Sequence, residues 1–168
     1  MPNGAQLHLA LNHMPAAINA AGLIVIVIGL FWKNAAVVRT AFALMIVAAL
    51  VTIPAFYTGD SAEHLVEKLD RVNEMAIHPH EEAGELAFIT MLVQGGLAIL
   101  ALIVARRNPP RGWTVAVIVL AALVSTGALF RAAQLGGKIQ HPETQMTAPP
   151  SEEEEGEGGR GRGRGGRR

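Results

Sequence analysis

"AAGLIVIVIGLFW", Ala20 to Trp32, contains no charged side chain and no hydrogen-bonding side chain before its final tryptophan. A surface helix of a soluble protein carries a polar stripe on its outer side. At 3.6 residues per turn no such stripe can be drawn here. The same is true of "VAVIVLAALV", Val115 to Val124. Helices that are apolar all round face hydrocarbon or a deep core, and the chain offers four such stretches. Their bounds are about 7–32, 37–57 ("VVRTAFALMIVAALVTIPAFY"), 83–105 and 113–135. Each reaches the roughly 20 helical residues needed to cross a hydrocarbon layer about 30 Å thick. In lipid the backbone must satisfy its own hydrogen bonds, so helices are the expected form. The expected fold is all-α: an antiparallel four-helix transmembrane bundle over residues 1–143.

Composition points the same way. Of 168 residues 51% are hydrophobic and 17% charged, values outside the usual soluble range. A soluble bundle with buried helices is the competing reading, and the missing polar stripe argues against it. The leading segment "MPNGAQLHLALNHMP" lacks the basic residues of a secretory signal. Absence of cysteine excludes disulfides, thiolate-bound iron–sulfur clusters and covalently attached c-type haem. Residues 144–168 change abruptly to "SEEEEGEGGRGRGRGGRR" after "TQMTAPP", with nothing apolar to bury, and are expected to be disordered. Arginine–glycine repeats bind RNA elsewhere, but on the outer side of a membrane no nucleic-acid partner is expected. A solvated tail, or loose attachment to anionic lipid or an acidic neighbour, fits better.

Short loops orient membrane helices through their lysines and arginines. Lys33 and Arg39 flank the first connection, and Arg106, Arg107 and Arg111 crowd the third without an acid. Both belong to one face, expected to be cytoplasmic. The second connection, Thr58 to Glu82, is rich in acid (Asp60, Glu63, Glu67, Asp70, Glu74) with only Lys68 and Arg71. It should lie outside, with both termini. The expectation is a multi-pass protein of the inner (cytoplasmic) membrane. Leu65, Val66, Leu69 and Val72 are spaced for a short amphipathic helix lying on the surface as a lid.

All six histidines fall at the outer ends of the spans: His8, His13, His64, His78, His80 and His141. In "IHPHEEAGE", Ile77 to Glu85, Pro79 suits a first helical turn and Glu81 and Glu82 suit a helix N-terminus. Glu85 lies a turn deeper, and Arg131, at a similar depth in the fourth span, is the expected ion-pair partner. His8, Asn12 and Asn19 share one face if the first helix begins before Pro15. If Pro15 opens the helix, "LNHM" becomes a cap and His13 overhangs the mouth. Gly136 and Gly137 read as the stop of the fourth helix. Gly95, Gly96 and Gly127 allow close helix approach, and Met45 and Met91 read as packing.

The elements "NHMP" (His13, Pro15) and "GGKIQHPE" (Gly136, Gly137, His141), with "YTGDSAEHLVE" and "HEEAGE", resemble those of an uncharacterised bacterial family of small four-helix membrane proteins described as cytochrome-like. The resemblance reaches to about Glu143. It implies the bundle and directs attention to His13, His64, His80 and His141, and it implies no defined activity.

Three functions follow from the residues. In the first, a b-type haem takes axial histidines from facing helices, His13 with His80 and His64 as substitute. Arg131 and Lys138 would then meet its propionates, and a quinone could share the mouth. In the second, His64, His80, Glu81, Glu85 and His141 hold a zinc, copper or iron ion, although neither Glu-x-x-His nor His-x-x-x-His occurs. The third is a cofactor-free structural or assembly subunit of a membrane complex, with or without self-association. The partners expected are the lipid bilayer and a membrane-complex or redox subunit. Nothing resembles a nucleophile with its base.

Overall fold

The computed structural model describes residues 4–59, 62 and 74–140. Its elements are α1 (Gly4–Leu11), α2 (Met14–Phe31), α3 (Ala35–Tyr57), a 3-10 turn (Glu74–Ala76), α4 (Ile77–Val104) and α5 (Gly112–Gln140). Four membrane spans follow: Gly4–Phe31, which joins α1 to α2, then α3, α4 and Gly112–Ile139. The chain is thus a four-helix bundle of membrane-spanning length. α2 packs on α3, α3 on α4 and α4 on α5, with a lighter contact from α2 back to α5.

The surface suits a lipid environment. Ile24 (61% exposed), Leu120 (65%) and Phe130 (64%) are typical of an outer face made of Ile, Leu, Val and Phe on α2, α4 and α5. A continuous apolar belt of this kind is not tolerated in water. Trp32 and Trp113 are exposed at the arginine-rich end and Tyr57 at the other, where amphipathic rings sit at headgroup level.

The interior is layered. Toward the arginine-rich end it holds the large side chains Ile26, Phe42, Met45 and Ile118. A polar layer of Asn19, Gln94 and Ser125, all fully buried, lies across the middle. Toward the histidine end the buried residues are mostly small, Ala55, Ala76, Ala83, Ala87, Ala128 and Ala132, with Pro15, Thr52, Met91 and Ile139, and Phe56 of α3 stacks on Phe88 of α4 with ring centroids 4.4 Å apart. Met45 and Met91 are completely buried as packing groups.

Glycine sets the helix spacing, at positions only partly those expected. At Gly95 a Cβ would lie 2.5 Å from Ala49 Cβ, so α3 and α4 touch through bare backbone. Gly22 and Gly29 do the same for α2 on α3, against Met45 and Val38. Gly96 and Gly127 have nothing within 4 Å and serve no such contact. They are one residue off the buried stripes of their helices.

Helix ends follow local chemistry. Asn34 caps α3 by accepting from the backbone N–H of Ala36 at 2.9 Å and of Val37 at 3.4 Å. Before it, Lys33 adopts φ 51° while Asn34 N–H returns to Gly29 O at 2.9 Å. That is a Schellman-type stop with lysine where glycine is usual. Arg39 ties α3 to the end of α4, donating from Nε to Ala105 O (2.9 Å) and from Nη2 to Asn108 O (3.1 Å).

Three boundaries differ from the sequence expectation. α4 begins at Ile77, six residues before 83, and takes in the whole "IHPHEEAGE" run. α5 continues through Gly136 and Gly137 to Gln140 and does not stop at 135; the glycines have another use, given below. At the N-terminus both alternatives hold in part: α1 precedes Pro15, a turn at Asn12–His13 interrupts it, and Pro15 stands in the first turn of α2. The amphipathic lid and the tail from 144 lie outside the described residues.

Candidate functional site

The histidine end is assembled by α1, the end of α3, the start of α4 and the end of α5. His8, half-buried on α1, has Nδ1 2.9 Å from Ala55 O on α3. His80, half-buried on α4, has Nδ1 2.9 Å from Ala132 O on α5. A carbonyl oxygen only accepts, so Nδ1 carries the hydrogen in both rings. Nε2 is then the lone-pair nitrogen of each neutral imidazole. Both rings stand at the same end of the bundle, one on α1 and the other on α4.

Each ring is seated by small residues. At Gly136 a Cβ would lie 3.0 Å from His80 Cε1 and 3.3 Å from its Nδ1, so the imidazole lies on the bare backbone of α5. Gly59 meets His8 Cε1 similarly at 3.7 Å. Gly136, the first glycine of the "GG" in the fourth span, is therefore a seat for His80 within a continuing helix. Thr58 Oγ1, which donates to Pro54 O and Ala55 O, is 3.4 Å from His8 Nδ1.

Below the rings lies the polar layer. Gln94 Nε2 donates to Asn19 Oδ1 at 2.6 Å, and Asn19 Nδ2 donates to Thr126 Oγ1 at 3.0 Å and Ala122 O at 3.2 Å. Thr126 Oγ1 passes its own hydrogen to Ala122 O. Asn12 Oδ1, Gln94 Oε1 and Ser125 Oγ are buried without a protein partner among the described residues.

The remaining sequence candidates stand elsewhere. His13 is exposed at the α1–α2 junction and makes no side-chain cap. His78 is exposed and lies 3.7 Å from Glu81 and 3.4 Å from Glu82, pairs that are ionic only when it is protonated. Glu81, Glu82 and Glu85 are exposed on the outer side of α4, and Arg131 and Lys138 are exposed on α5. Glu85 and Arg131 form no ion pair. Each is displaced around its helix from the buried stripe, Glu85 from Ala83 and Ala87, Arg131 from Ala128 and Ala132. His64 and His141 lie outside the described residues. Among the described residues no three His, Asp or Glu side chains gather as a metal-binding group. Sequence reasoning undervalued His8; its i, i+4 relation to Asn12 was the available signal.

Comparison with protein-family models, curated proteins and solved structures finds no match for this chain.

Proposed function

We propose that this membrane bundle carries a two-imidazole coordination site, His8 with His80, for haem iron or a single transition-metal ion, and acts as a redox or accessory subunit. The observation that carries the reading is the pair of Nδ1–H···O=C bonds from facing helices. Metal-ligating histidines characteristically donate their second nitrogen to a carbonyl or carboxylate, which fixes tautomer and ring direction. Both rings here are held that way with Nε2 remaining. Two nitrogen donors on different helices match the axial needs of a b-type haem. They supply two of the four positions of a zinc or copper ion, and Glu81 and Glu85 face away from the rim. When bound, iron or copper would supply one-electron chemistry, with α1 and α4 positioning the two donors.

A cofactor-free reading is favoured by the same bonds, which join α1 to α3 and α4 to α5. On that reading the histidines are structural and the chain is an assembly subunit.

One preparation separates the two. The full chain is purified in mild detergent, its reduced-minus-oxidised spectrum recorded, and its metal content measured on the same sample. A Soret band or stoichiometric metal, lost in His8→Ala and His80→Ala but kept in His13→Ala, supports the coordination site. Metal-free and colourless wild-type protein from cells supplied with haem and metals overturns it. We place the arginine-rich end on the cytoplasmic face of the inner membrane by its excess of cations. Labelling of Arg107→Cys by an impermeant thiol reagent in intact cells would reverse that placement.

A further inference from the structure

A groove of about 380 Å³ runs between α3 and α4 at the arginine-rich end, far from the histidines. Its walls are Ile46, Ile99, Leu102 and Ile103, and its mouth is formed by Arg39 and Arg106. We propose that this groove binds an anionic phospholipid, with the phosphate held by Arg39 and Arg106 and an acyl chain along the isoleucine–leucine walls.

Four observations converge on a lipid. Arg39 spends Nε and Nη2 on Ala105 O and Asn108 O, which fixes its guanidinium plane while Nη1 makes no hydrogen bond among the described residues. A planar guanidinium held in place is a favourable phosphate ligand. Arg106 is exposed beside it, and the 105–111 connection contains no acid to neutralise either charge. The described acidic residues all belong to the 3-10 turn and the start of α4, at the opposite end. Trp32 and Trp113 mark this same end as headgroup level. Finally, the walls below the arginines are wholly apolar, as an acyl chain requires and a soluble phosphate does not. Basic pockets between transmembrane helices on the cytoplasmic side are where anionic headgroups are held. The inference is independent of the histidine pair.

The test uses the full chain in neutral detergent, titrated with palmitoyl-oleoyl phosphatidylglycerol and followed by native mass spectrometry. Phosphatidylcholine of the same chains and inorganic phosphate serve as comparators. Phosphatidylglycerol should bind about tenfold more tightly than phosphatidylcholine, and Arg106→Gln should remove most of that preference. Arg111→Gln removes the same charge from the same rim without lining the groove, and should leave the affinity within about twofold. Arg39 is left intact because it also joins α3 to α4. Equal binding of the two lipids overturns the proposal. So does an Arg111→Gln loss as large as that of Arg106→Gln, or displacement of the lipid by millimolar inorganic phosphate.

Discussion

His80 lies against Gly136 so closely that a methyl group there would stand 3.0 Å from its Cε1, while its Nδ1–H is held by Ala132 O one turn earlier on the same helix. One helix thus supplies both the floor and the anchor of the imidazole. Gly137, the next residue, has open space around its Cα.

That contrast gives a matched pair of substitutions. Gly136→Ala must push the His80 ring by a few tenths of an ångström or break its bond to Ala132, and metal or haem occupancy should fall. Gly137→Ala removes a flexible residue from a helix interior and should stabilise the bundle by about 0.5–1 kcal/mol without changing occupancy. Equal occupancy in the two variants would show that the seat is not used.

A second pair tests the α3–α4 seam. Gly95→Ala forces a Cβ to within 2.5 Å of Ala49 Cβ, and overpacking of this kind costs about 1–3 kcal/mol. Gly96→Ala faces open space and should be neutral or slightly stabilising. Unfolding in mixed micelles with increasing dodecyl sulfate, read as loss of helix signal, should rank Gly95→Ala below wild type and Gly96→Ala at or above it.

The polar layer gives a third. Asn19→Ala leaves Gln94 Nε2 without its acceptor and Thr126 without its donor, and should cost about 1–2 kcal/mol. Adding Gln94→Leu removes the orphaned amide, so the double variant should be no less stable than Asn19→Ala alone. A strictly additive further loss in the same micelle titration would mean that the two side chains do not depend on each other.

Much of the fold was legible because lipid imposes one rule on every span. "LIVIVIGLF" and "VAVIVLAALV" have no polar side, and no water-soluble arrangement accepts them. The helix ends were harder. "LGGKIQ" carries the usual marks of a stop, yet α5 continues to Gln140, and the glycine at 136 instead makes room for His80, a contact between positions far apart in sequence. The gathering of the four described histidines, His8, His13, His78 and His80, at one end was readable from alternating spans. Which rings turn inward was not: His13 and His8 differ by five residues, and the turn at Asn12–His13 rotates one out and leaves the other in. Glu85 and Arg131 share a depth, as their places in the chain implied, but depth says nothing about azimuth around a helix.

The two sides of the Asn19–Gln94 layer are filled by different means. Alanine contacts across a seam contribute far less dispersion than the Phe42, Met45 and Ile118 contacts at the other extremity. Dispersion at the imidazole mouth rests instead on the Phe56–Phe88 stack between α3 and α4, with ring centroids 4.4 Å apart, and on the buried Met91.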